Sequence, residues 1–438
     1  MGSASGSSSG LPCGARLGPE VLLKRVRLAI TQPCFSSTPP PASKFAPIAG
    51  AGYPPPTPLE DQNLRIAIVI ERFVPGAGGV ENVAWQVAHE LARQGEEITL
   101  ITRDASTDTQ LATEIVPVPT FWQPLRIGRF SLGAADRTRP PRFDVVHSFS
   151  HTRHQDLFRA GGGSQRDHLR RNFEGFARAY RHVSPRYRVR LDTERHVFER
   201  SSQRIQCSSS LVSRALMTDH GVSADRIFML PNAVDAGAFS SHEAIAAGQQ
   251  LRQDRAPTAR SVWLFTGSGW HRKGLATALE AFAKGACADD RFWIAGRDES
   301  APWQKRAHAL GIADRVDFLG EWSEMPALYQ AADALLLPTR YDPFANVTLE
   351  AAAAGLAIIT SAGNGAAEWL GEAIQVMDED AGPAEYAEAM KSLRNGETKH
   401  SRGADLARHA RQYDWPHHVE ALRKEYARIV SSRTRTAS

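Results

Sequence analysis

The chain has 438 residues, 42% hydrophobic and 23% charged, with Lys+Arg 52 against Asp+Glu 48 for a net charge of +4. That balance excludes a largely disordered or fibrous chain, and so mild a basic surplus does not imply nucleic-acid binding. Its four cysteines (Cys13, Cys34, Cys207, Cys287) lack CxxC spacing and cannot make a disulfide framework, which fits a reducing cytoplasm. No apolar run approaches the roughly 18–20 residues that a membrane helix needs, so contact with a membrane would be peripheral.

Residues 1–63 read as an extension. MGSASGSSSG is Gly/Ser-rich, and STPPPASK and YPPPTPLED are proline-rich; such composition buries too little apolar area to offset chain entropy. A short basic helix could form over Val21 to Ile30. No charged segment precedes an apolar one, so a secretory signal is not expected.

Order begins at Arg65 to Ile70, a short apolar run of the kind buried on both faces of a parallel sheet. A glycine loop, Pro75 to Gly79, leads into a helix over Val80 to Arg93 with Val83, Val87 and Leu91 at i, i+4, i+8, ended by Gly95. Ile98 to Ile101 is the next strand, and the alternation recurs at Phe143–His147, Arg204–Cys207 and Arg226–Leu230. The polar stretch 240–259 reads as a linker. A second series runs through Val262–Phe265, Phe292–Ile294, Val316–Leu319, Ala334–Leu337, Ala357–Thr360 and Ile374–Met377, with terminal helices over Ala404–Arg411 and Val419–Val430. The pattern predicts an α/β protein of two Rossmann-like domains, 64–240 and 241–410, and a C-terminal helix in 411–438 packing back toward the first.

Three segments carry chemistry. Gly76 and Gly78 begin a GxGxxG pattern, but Glu81 stands where the third glycine would be, which weakens a dinucleotide reading. The alternatives for Gly78, Gly79 and Glu81 are a turn whose N–H groups and helix N-terminus face an anionic or sugar ligand, and a tight strand-to-helix turn with no ligand. In Leu264 to Gly274 the adjacent Arg272 and Lys273 follow a strand; at that sheet edge two cations suit a pyrophosphate, and taken alone the pair also reads as a solvated surface pair. In Tyr341 to Glu350, Asp342 precedes a helix and Glu350 lies inside it, eight residues on. The N–H groups of Ala345, Asn346 and Val347, with Thr348 beside them, can point at phosphate with the positive helix end behind them. Glu350 can accept from ribose hydroxyls and Asp342 from sugar hydroxyls. Phe318 to Gly320 is a strand-end segment that reads as a glycine-terminated strand or, where the ligand is a nucleotide, as backbone that meets its base.

These motifs resemble family 4 retaining glycosyltransferases. Asp342 and Glu350 stand in the place of that family's E-x7-E signature; Gly78 to Glu81 matches its Gly-Gly-Val-Glu loop, Gly267 to Gly274 its Arg-Lys-Gly element, and Ser208 to Asp235 its segment ending Pro-Asn-x-Val-Asp. Gln155 to Gly163, with the arginine-rich run after it, is most similar to the lipopolysaccharide core glucosyltransferase I type. The resemblance implies a GT-B fold, two lobes facing across a cleft, and metal-independent transfer of a hexose from a nucleotide sugar, UDP-glucose, with no cofactor. It further implies that Arg272 and Lys273 stabilise the departing diphosphate, and that the acceptor lies against the first domain. There His147, among the expected catalytic residues, and His151, His154 and Asp156 are acceptor-side candidates. The HxxxHxxH spacing is a weak metal signal, and Asp378-Glu379-Asp380 reads as loop acids.

Residues 151–204 hold 13 Arg, no Lys and six acids, a charge of +7 in a chain of +4. Phe173, Phe176, Tyr180 and Tyr187 interleave with the arginines. This region is expected to meet an anionic glycolipid acceptor, such as lipopolysaccharide core, or the inner face of the cytoplasmic membrane. Alternatives are a family 4 enzyme with a small-molecule or protein acceptor, and a dinucleotide-dependent oxidoreductase.

Overall fold

The computed structural model describes residues 63–173, 175–199, 203–393 and 396–437. The expected extension and its short helix therefore lie outside the described residues.

The first lobe alternates strands and helices: β1 (Arg65–Val69), β2 (Arg72–Phe73), α1 (Gly79–Arg93), β3 (Glu97–Thr102), β4 (Asp104–Ala105), β5 (Ala112–Ile115), α2 (Gln123–Arg137), β6 (Val145–Ser148) and β7 (Leu157–Arg159). It continues with α3 (Gln165–Asn172), α4 (Gly175–Val183), α5 (Pro185–Phe198), β8 (Arg204–Cys207), α6 (Ser210–His220), β9 (Ile227–Met229) and α7 (Ala236–Phe239). Seven of its strands form one parallel sheet in the order β5-β3-β1-β6-β7-β8-β9.

The second lobe opens with α8 (His242–Arg255), followed by β10 (Val262–Thr266), α9 (Leu275–Gly285), β11 (Arg291–Ala295), α10 (Ala301–Ala309), β12 (Val316–Gly320), α11 (Met325–Ala331) and β13 (Ala334–Leu337). Then come α12 (Asn346–Ala353), β14 (Ala357–Ser361), α13 (Ala367–Leu370), β15 (Gln375–Met377), α14 (Pro383–Ser392), α15 (Gly396–Ala410) and α16 (Trp415–Ala437). Its six strands are again all parallel, ordered β12-β11-β10-β13-β14-β15. Both sheets put their carboxyl edges, where such folds bind ligands, within reach of the other lobe.

The polar stretch expected to link the domains is instead the helix α8. Ser241 caps it by accepting from the Ala244 N–H at 3.1 Å, and Gly248 lets it lie close on α11, where an added Cβ would sit 2.6 Å from the Gln330 Cβ. The contact uses small residues, so the sequence carries no apolar stripe to betray it.

The last helix returns to the first lobe. Val419, Leu422, Tyr426 and Ile429, at spacings of three, four and three, bury one face of α16 in the apolar cluster of β1 and α1. Ion pairs frame that seam: Arg423–Glu96 at 2.7 Å, Arg204–Glu425 at 2.5 Å, and Arg433 with Asp156.

Candidate active site

The loop after β10 is shaped by glycines at positive φ, of which Gly274 is the most constrained: at φ 81° an added Cβ would lie 1.9 Å from the Pro338 carbonyl oxygen. That close approach delivers Arg272 and Lys273 to the segment after β13. Arg272 donates to the Tyr341 carbonyl at 2.7 Å and to the Asp342 carboxylate at 2.9 Å, and Lys273 Nζ reaches the same carboxylate oxygen at 3.0 Å. Burial alone would raise the Asp342 carboxyl, but Lys273 and Arg272 together hold it down at about 2. Two cations thus share one anion and keep surplus positive charge for a ligand.

Asp342 is fixed from the other side by backbone. Its N–H donates to Gly363 at 2.8 Å, and its carbonyl accepts from Gly365 at 2.9 Å. Asn364 between them is buried and donates to Thr348 at 2.8 Å and Thr360 at 3.1 Å. Its carbonyl oxygen accepts from the Ala345 and Ala366 N–H groups. This corrects one expectation: the Ala345 N–H is already engaged and does not point at a ligand, and Thr348 serves the Asn364 bracket. Asn346 and Val347 open α12, where first-turn N–H groups lack intrahelical acceptors. Glu350, raised by its burial, accepts from the Tyr329 hydroxyl at 2.8 Å.

The opposite wall is the start of α1. Gly78 is the extended residue before the helix, and the Glu81 side chain folds back over it, so Glu81 sits in the acid-favouring first turn. A Cβ on Gly79 would lie 3.8 Å from the Asn346 side-chain nitrogen. The α1 and α12 N-termini, one from each lobe, therefore confront each other beside Arg272 and Lys273, an arrangement that suits an anion between them. Nearby, Arg297 donates to the carbonyls of Gly76 and Ala77, and Gly163 leaves room for Tyr341, whose hydroxyl would be 2.3 Å from a Cβ there. Phe318 packs against the loop that carries Arg272 and Lys273: its ring lies 5.9 Å from that of Trp270, the loop residue before His271.

The acceptor-side candidates are placed differently from expectation. His147 on β6 is fully buried, its Nδ1 2.7 Å from the Tyr426 hydroxyl of α16, and burial, with Arg159 and His418 nearby, holds its pKa well below the usual imidazole value. It cannot touch an acceptor there. Asp156 accepts from the Val146 N–H at 2.8 Å and pairs with Arg433, so it ties α16 to β6. His154 bonds Thr138 at 3.1 Å, and His151 packs its ring on Phe158 and Phe198. Among the described residues no cluster of His, Cys, Asp and Glu forms a metal site, so the HxxxHxxH spacing does not converge.

The sequence reading missed His168. Its ring lies 6.3 Å from Tyr341, and burial, with Arg272 and Arg190 close by, lowers its pKa. Arg171 lies over the Tyr341 ring and pairs with Glu379 of the second lobe at 2.7 Å. His168 falls in the arginine-rich run, where charge was legible but orientation was not.

Two family models match the chain: "Glycosyltransferase Family 4" over residues 77–237 and "Glycosyl transferases group 1" over 260–395. A D-inositol 3-phosphate glycosyltransferase of Geodermatophilus obscurus is 26% identical over 391 residues, covering 80% of this chain and 84% of that protein. The lipopolysaccharide glucosyltransferase WaaG of Escherichia coli is 23% identical over 315 residues, covering 70% and 83%. The crystal structure of WaaG superposes with a TM-score of 0.71 at 20% identity, covering 83% of this chain and 99% of that one. Anabaena HepE in complex with UDP and glucose gives 0.66 at 15%, covering 83% and 99%. With one family model matched on each lobe and the GT-B fold shared with these structures, the chain belongs to the family 4 glycosyltransferases.

Proposed function

We propose that the protein transfers a hexose from UDP-glucose to an anionic cell-envelope glycolipid such as lipopolysaccharide core, with retention of anomeric configuration and no metal. The observation that carries the donor half is the Arg272–Lys273 pair beside two facing helix N-termini. Fixed positive charge there stabilises the negative charge that develops on a departing diphosphate. HepE, of the same fold, has been crystallised with UDP and glucose. A thermal-shift and hydrolysis screen across UDP-, GDP- and ADP-sugars tests the donor: stabilisation and turnover with UDP-glucose are expected, and a response confined to GDP- or ADP-sugars overturns that choice.

The acceptor half rests on α4. Phe176, Tyr180 and Val183, at i, i+4, i+7, are 85%, 61% and 68% exposed, an outward apolar stripe on a helix that also carries Arg178 and Arg181. Aromatic residues beside arginines suit a lipid interface, where each surface cation contributes about 1 kcal/mol toward an anionic leaflet. Among the described residues no helix is long and apolar enough to cross a membrane. Sedimentation with vesicles containing anionic lipid at low salt is expected to pellet the protein, and Phe176→Ser with Tyr180→Ser to release it; no pelleting of the unaltered protein counts against a membrane-borne acceptor. A small phosphorylated polyol is the second reading, favoured by the inositol-phosphate relatives and by His168, Arg181 and Arg190 on the first lobe.

A further inference from the structure

Arg159 is a buried cation with no anion beside it among the described residues; its guanidinium lies 5.7 Å from the centre of the Phe149 ring. It ends β7, is 3% exposed, and makes no ion pair among the described residues. Its Nε and Nη1 have no hydrogen-bond partner among the described residues, and burial lowers its pKa to about 10. A buried cation without an anion is costly, and replacing it with an apolar side chain would ordinarily stabilise a core. Among the described residues its one hydrogen bond is from Nη2 to the Asn232 side-chain oxygen at 2.7 Å. Asn232, 4% exposed, in turn donates its amide to the Asn346 side-chain oxygen at 2.7 Å, from one lobe to the other.

The order of donors and acceptors in this chain is fixed by the guanidinium. Arginine has only donors, so the Asn232 oxygen must face Arg159 and its NH2 must face Asn346. The Asn346 oxygen is then consumed, and its NH2 is turned outward, 3.8 Å from where a Gly79 Cβ would stand. That is the gap between the two helix N-termini. Were the Asn232 amide reversed, Asn346 would present an acceptor there, which repels phosphate oxygens.

We propose that Arg159, Asn232 and Asn346 form an orienting relay in which the Asn346 amide donates to the sugar-diphosphate of the donor, with Arg159 and Asn232 as positioning residues. The relay rests on the reading that the cleft holds a nucleotide sugar. It also ties the donor grip to closure of the lobes, since two of its members lie on one lobe and the third on the other.

Asn232→Asp separates this role from a structural one. The carboxylate still accepts from Arg159 and supplies its missing counter-charge, but it has no NH2 to give Asn346. The expected result is a melting temperature unchanged or raised, with kcat/KM for UDP-glucose hydrolysis lowered by about tenfold or more, the scale on which small misplacements act. Arg159→Met, which removes the charge and keeps bulk, should show the same loss of kcat/KM without loss of stability, and Arg159→Lys, a donor of the same kind, should recover part of it. Variants with the kcat/KM of the unaltered protein overturn the relay. So does a fall in kcat/KM that tracks a fall in melting temperature, or one that Arg159→Lys leaves unrelieved. If the unaltered protein neither binds nor hydrolyses any sugar nucleotide of the screen, the donor reading fails and the relay with it; if it does and the variants match it, the relay alone fails.

Discussion

Lys273→Ala is expected to lower turnover by at least about a hundredfold, the effect of removing one preorganised contact to charge developing in a transition state. Lys273 is 6% exposed, and its stem runs beside Gly267, where a Cβ would come within 2.9 Å of Cε. Its ammonium is held 3.0 Å from Asp342, so the cation stands at the site before the donor arrives. The fold should survive, because Asp342 keeps Arg272 as a partner at 2.9 Å; the loss is that of one charged hydrogen bond, about 1.5–3 kcal/mol. Release of UDP from UDP-glucose measures turnover, and a thermal melt measures the fold. Unaltered kinetics would remove Lys273 from the diphosphate site.

The architecture was legible because parallel strands covered on both faces are written as short apolar runs. Leu335 to Leu337 and Val262 to Phe265 are buried throughout and were read directly. Edge and very short strands were not. β5 is exposed along most of its length and β7 is three residues long, so neither carries a run. In the site, Arg272, Lys273 and Asp342 were legible as spacing after strand ends, and the structure brings them together within 3.0 Å. The histidines were not. His147 is covered by Tyr426, which lies 279 residues later, and Asp156 is held by Arg433, 277 residues later. A local pattern cannot show which strand face a distant helix will cover. Asn232 stood within the quoted Pro-Asn-x-Val-Asp segment, yet its task depends on Arg159 and Asn346, which lie 73 residues before it and 114 after it.

Asp342→Asn is expected to destabilise the protein by about 3–5 kcal/mol, the scale for removing one partner from a buried charge pair. The asparagine would leave Arg272 and Lys273 facing each other with no anion between them. The same contact sets an acid limit. The folded carboxyl titrates at about 2, below its ordinary value of 3.8, so its contribution is fully present above about pH 4 and is lost as the pH falls through 2. A depression of that size is worth roughly 2–3 kcal/mol. Melting temperatures from pH 6 down to 2 should therefore fall more steeply for the unaltered protein than for Asp342→Asn, and the two curves should converge at the acid end. Parallel curves would mean that the carboxylate is not held by the two cations. The functional consequence follows from the same electrostatics: Asp342 neutralises part of the cation pair at rest, so an arriving diphosphate competes with a carboxylate for Lys273 and Arg272. Asp342→Asn should then bind UDP more tightly while turning over UDP-glucose more slowly, because product release is held back by the cations that the aspartate would otherwise reclaim. Calorimetry with UDP beside steady-state hydrolysis reads both directions, and weaker UDP binding in the variant would show that Asp342 serves the donor by some route other than competition for these two cations.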